Sequence, residues 1–88
     1  MPYISQELRQ DVDSYIEGLN KFLMYVDEDK IDGTMNYVIT KLIKEQYDIG
    51  HYEQYNSAVG VLECAKLELY RRVIAPYEDI KIQENGDV

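Results

Sequence analysis

Residues 60–79 read Gly60-Val61-Leu62-Glu63-Cys64-Ala65-Lys66-Leu67-Glu68-Leu69-Tyr70-Arg71-Arg72-Val73-Ile74-Ala75-Pro76-Tyr77-Glu78-Asp79. Together with Ala58, the residues Leu62, Ala65, Leu69 and Val73 recur at steps of three and four, which is the period of one helix face. Val61, Cys64, Leu67 and Ile74 widen that face around the side of the helix. A helix that is apolar over more than one stripe needs two neighbours to cover it. The stretch is therefore expected to be the central element of a small helical protein, or the seam of an oligomer. Gly60 and the two alanines thin one side, which would admit a closely packed neighbour. Pro76 disfavours helical geometry at the residue before it, so the helix is predicted over 54–74. The remaining residues, 77–88, are predicted to form a short C-terminal arm, ordered over 77–82, with a frayed tail as the alternative. In that arm Tyr77, Ile80 and Ile82 make an apolar edge, with Tyr77 partly buried, docked on its own bundle or on a neighbouring subunit.

Upstream of this stretch lie two further periodic runs. Leu8, Val12, Tyr15, Ile16, Leu19, Leu23 and Val26 predict a helix over 6–26, capped by Ser5 and with Glu7 near the positive end of its dipole. The acidic run Asp27-Glu28-Asp29-Lys30 suits a loop better than a helix C-terminus. Met35, Val38, Ile39, Leu42, Ile43 and Tyr47 then predict a helix over 33–48, with Asp32 as its N-cap and Asp48-Ile49-Gly50-His51 as its end. The fold class is all-α: a small three-helix bundle or hairpin arrangement with a C-terminal arm, in one domain spanning 1–88.

Eighty-eight residues lie near the lower limit at which a chain buries enough apolar surface to fold alone, and association would relieve that shortage. The charge is unevenly distributed. Residues 1–33 carry eight acids against three bases, residues 34–76 five of each, and residues 77–88 four acids against one base, giving a net charge of −8. Such a field opposes nonspecific DNA binding and anionic membranes, while leaving room for a local basic pocket. No apolar run is long enough to span a bilayer. Met1-Pro2-Tyr3-Ile4 leads directly into polar residues, so no signal peptide is expected. The lone Cys64 suits a reducing cytoplasm and is expected to be a small packing residue.

Catalytic and metal chemistry find little footing. His51 is the only histidine, no nucleophile stands at a diagnostic spacing from it, and one Cys with one His cannot complete a zinc site. The run Asp27 to Gly33 has the acidity of a calcium loop but not its spacing, with Val38 where the bidentate Glu would stand. No catalytic residue, metal site or cofactor is expected. Two features rise above this background. Nine tyrosines accompany a single Phe and no Trp, a bias that suits surfaces part wet and part apolar. Lys66, Tyr70, Arg71 and Arg72 gather a stacking ring and three cations, two of them forked donors that match phosphate or carboxylate. The same cations have Glu63, Glu68 and the acidic tail as possible internal partners.

The opening Met1-Pro2-Tyr3-Ile4-Ser5-Gln6-Glu7, the Asn36-Tyr37-x-Ile39-Thr40 portion, the Gly60 to Arg72 stretch, Ala75-Pro76-Tyr77-Glu78-Asp79 and Glu84-Asn85-Gly86-Asp87-Val88 resemble a family of small uncharacterised proteins of tailed bacteriophages and prophages. The resemblance spans most of the chain and brings no catalytic residues with it. It implies an accessory protein that acts inside the host bacterial cytoplasm by binding rather than catalysis. The expectation is a helical homo-oligomer that sequesters a small phosphorylated host-defence signal, similar in concept to phage sponges for defence nucleotides. Tyr70 would stack on that ligand, and Lys66, Arg71 and Arg72 would meet its phosphates. The alternatives are an acidic inhibitor of a host protein, and a scaffold with no ligand.

Overall fold

The computed structural model describes residues 3–47 and 50–88. The chain is all-α, with three long helical stretches and no strand among the described residues. It divides into two units, Met1–Gly50 and His51–Val88.

In the first unit, α1 spans Gln6–Leu23. Ser5 adopts extended backbone before it, and its Oγ accepts the Leu8 N–H at 3.2 Å, satisfying one donor of the open first turn. Arg9 ties down the chain leading in, its Nε donating to the Ile4 carbonyl at 2.9 Å. The predicted helix ran to Val26, but the last turn tightens instead: Tyr25 N–H bonds Phe22 O at 3.0 Å and Val26 N–H bonds Leu23 O at 3.1 Å. Asp27 then turns extended.

The expected acidic loop is a single 3-10 turn, Glu28–Lys30, that runs directly into α2, Ile31–Tyr47. Helix 2 therefore begins two residues earlier than predicted, and Asp32 lies in its first turn rather than at its cap. The cause is electrostatic as well as steric. Carboxylates unfavourable at the end of α1 are favourable at the start of the next helix, and the Asp27 carbonyl already accepts the Lys30 N–H at 2.9 Å. Thr34 Oγ1 also bonds the Lys30 carbonyl at 2.8 Å. Leu23, Val26, Ile31, Val38, Ile43 and Tyr47 are half-buried in this unit. Asp48 and Ile49, expected at the end of helix 2, lie outside the described residues.

Gly50, the last residue of the first unit, takes φ +71°, a conformation glycine adopts freely. His51 follows at the N-cap of α3, its carbonyl accepting from Gln54 and Tyr55 at 3.0 and 3.2 Å. Here the structure corrects the sequence most. Helix α3 spans Tyr52–Leu69, a π-helical segment follows over Tyr70–Ile74, and α4 continues over Ala75–Asn85 without a break. The helical run is 34 residues, about 50 Å long. The predicted arm is thus mostly helix, and Gly86, at φ +91°, ends it with its N–H on the Ile82 carbonyl at 2.8 Å.

Pro76 fails to stop the helix because the π turn absorbs it. In an α-helix the proline would leave the carbonyl four residues back without a donor and press its ring against it. Here the Ala75 N–H reaches back five residues to the Tyr70 carbonyl, which widens the backbone just before the proline. Ala75 keeps helical geometry at φ −60°, ψ −46°. Pro76 falls in the first turn of α4, where its missing N–H costs little.

Burial is sparse. Among the described residues only Ala58, 6 % exposed, is buried, while Leu8, Ile16, Phe22, Leu62, Leu69 and Ile80 remain exposed. Tyr77, expected to be partly buried, and Cys64, expected to be a packing residue, are exposed too. A Cβ added at Gly60 would meet nothing within 4 Å.

Candidate functional site

The predicted site residues lie on the long helix of the second unit: Lys66 in α3, and Tyr70, Arg71 and Arg72 in the π segment. Each has an internal carboxylate partner. Lys66 Nζ lies 3.0 Å from Glu63 Oε1. Arg71 Nη2 and Arg72 Nε both point at a single oxygen, Glu68 Oε1, at 3.2 and 3.0 Å. The Glu68 side chain is only 26 % exposed, so it is the best-held anion of the group. The internal pairing that the sequence allowed is therefore what the geometry shows for all three cations.

Tyr70 does not point toward the arginines' carboxylate. Its hydroxyl donates to Glu78 Oε1 on α4, a partner the sequence did not suggest because residues eight apart on an α-helix lie about 12 Å apart along the axis and about 80° around it. The hydrogen bond to Glu78, then the charge of Glu78, then desolvation and the charge of Asp79 raise the Tyr70 phenol above its ordinary pKa. The sign follows directly. The neutral phenol is the form favoured in the folded state, so its contribution to stability is complete below the ordinary tyrosine pKa and is lost as pH rises through the higher folded value. Ultraviolet titration should show a late tyrosine ionisation step that vanishes in Tyr70→Phe and moves down in Glu78→Gln.

The local charge is not that of an anion trap. Lys66, Arg71 and Arg72 face Glu63, Glu68, Glu78 and Asp79 on the same helical run, three cations against four anions. These exposed ion pairs contribute about 0–1 kcal/mol each, so a strongly held phosphate is able to displace them, but nothing attracts it at long range. Two shallow depressions lie elsewhere. One, of about 280 Å³, adjoins Glu78, Lys81, Ile82 and Gly86; the other, of about 220 Å³, adjoins Tyr37, Thr40, Lys41 and Lys44 on α2. Lys81 stands 5.6 Å from the centroid of the Tyr77 ring and pairs with Glu84 at 3.0 Å.

His51 caps α3 through its backbone and makes no side-chain cap bond. Among the described residues no group of three or more His, Cys, Asp or Glu side chains is placed to hold a metal ion. No helix among them is long and apolar enough to cross a membrane. No curated protein and no solved structure matches the chain significantly. A family model does match, over residues 1–88, and the chain belongs to that family, described as a domain of unknown function (DUF6899).

Proposed function

We propose that the protein is the subunit of a helical homo-oligomer that acts by binding and has no catalytic role. The observation that carries this is the burial pattern. Rows of Leu, Ile, Val and Tyr on regular helices stay exposed, and Ala58 alone is buried among the described residues. Helices of this kind owe their stability to packed faces rather than to propensity. A second copy supplies the missing packing surface.

The resemblance to phage proteins makes a host-cell component the target. Capture of a basic host protein by the acidic surface is the better supported choice, given the net charge of −8 and the saturated basic cluster. Sequestration of a phosphorylated small molecule is the second choice. It is favoured by the convergence of the Arg71 and Arg72 guanidiniums on one oxygen, the place a phosphate oxygen would take if Glu68 swung away.

Two measurements separate them. Calorimetry against a panel of linear and cyclic nucleotides should give no binding at tens of micromolar. Pull-down from a bacterial lysate should recover a basic protein with the parent, and lose it when Asp27, Glu28 and Asp29 are replaced together by their amides. Nucleotide binding abolished by Arg71→Ala and Arg72→Ala would reverse the order. Binding of neither kind by an oligomeric protein would leave a scaffold.

A further inference from the structure

The long helix of the second unit carries a seven-residue repeat with one fault in it. Tyr55, Leu62 and Leu69 are seven apart, and so are Ala58 and Ala65. Past Leu69 the count slips by one: Ala65 to Val73 and Leu69 to Tyr77 are eight apart, after which Val73 to Ile80 is seven again. In an unbroken α-helix a step of seven drifts by about 20° around the axis, but a step of eight turns by about 80°. The fault would swing Val73, Tyr77 and Ile80 off the row.

The π segment lies at the fault. Tyr70–Ile74 closes with the Ala75 N–H on the Tyr70 carbonyl, five residues back, and so takes up one residue more than an α turn. That extra residue restores the phase. An independent contact reports the same correction: Tyr70 and Glu78 are also eight apart, and they are hydrogen-bonded, which residues about 80° apart on an α-helix would not be. The π turn therefore keeps α3 and α4 presenting one continuous row, as well as accommodating Pro76.

We infer that this row, from Tyr55 to Ile80, is a single seam for a second copy of the chain, packed in the manner of a coiled coil with its skipped residue hidden in the π turn. The inference rests on the self-association proposed above and names its surface. Tyr55, Leu62, Leu69, Val73, Tyr77 and Ile80 are each between 41 % and 59 % exposed, so their rings and methyls have room for a partner. Ala65 lies between Leu62 and Leu69 and is exposed, which leaves room there for a second helix axis to approach. A repeat that runs along the helix is also self-complementary, as a symmetric pair requires.

The test compares two one-residue deletions by light scattering, with helicity followed by circular dichroism. Deleting Arg72 while replacing Pro76→Ala turns the π segment into α-helix and makes the repeat unbroken, so the assembly mass should be retained. Deleting Cys64, inside α3, throws the upper and lower halves of the seam out of phase and should weaken association about tenfold or more. Leu69→Asp and Tyr77→Asp should weaken it likewise. If the parent itself sediments as a monomer, the self-association and the seam both fall. If the parent is oligomeric but both deletions are tolerated equally, or both aspartate variants keep the parent mass, the seam is wrong and the self-association stands on another surface. Should an aspartate variant unfold outright, the pair of deletions still decides.

Discussion

Dilution is expected to lower the unfolding temperature of this protein. A chain with one buried residue among those described has little to hold it once its copies separate, so folding and association should be a single equilibrium. For a folded dimer each tenfold dilution removes about 1.4 kcal/mol, which for two chains of 88 residues lowers the midpoint by roughly 3–6 °C. Thermal scans followed by circular dichroism over several decades of concentration give the slope. A midpoint that does not move would mean that each chain carries a sufficient core of its own.

Ala58→Glu is the single substitution expected to cost most. Ala58 is 6 % exposed in α3, where a carboxylate would be stripped of water. The cost should be about 3 kcal/mol or more, on the scale of an uncompensated buried charge. Gly60→Ala provides the contrast two residues on. A Cβ there meets nothing within 4 Å, and replacing a mid-helix glycine should stabilise by about 0.5–1 kcal/mol. Chemical denaturation of the two variants at one protein concentration should move the midpoint in opposite directions. Equal small effects would show that Ala58 is not where packing is concentrated.

The sequence revealed the elements well where periodicity and capping agreed. Ser5 is the cap it was expected to be, and the three helical stretches are where the three- and four-step patterns lie. It misled at Pro76. The rule that proline ends a helix assumes an α register, and one extra residue per turn removes the clash on which the rule depends. The same assumption hid Glu78 as the partner of Tyr70, since in an α register eight residues would set the two about 80° apart around the axis. At Asp27–Lys30 the charges were read against the helix they follow, whereas they serve the one they precede. The basic cluster was legible as residues but not as a site. Its pairing depends on which side each guanidinium leaves the helix, and the convergence of Arg71 and Arg72 on Glu68 follows from three- and four-residue spacings that composition alone does not rank against a ligand.

The central claim is that the fold is completed by copies of the same chain. Sedimentation equilibrium at low micromolar concentration tests it most directly. The account predicts a helical species whose mass is a whole multiple of 10.3 kDa and that shifts toward the monomer only as helicity is lost. A stable helical species of 10.3 kDa at every concentration, unfolding cooperatively by itself, would contradict it.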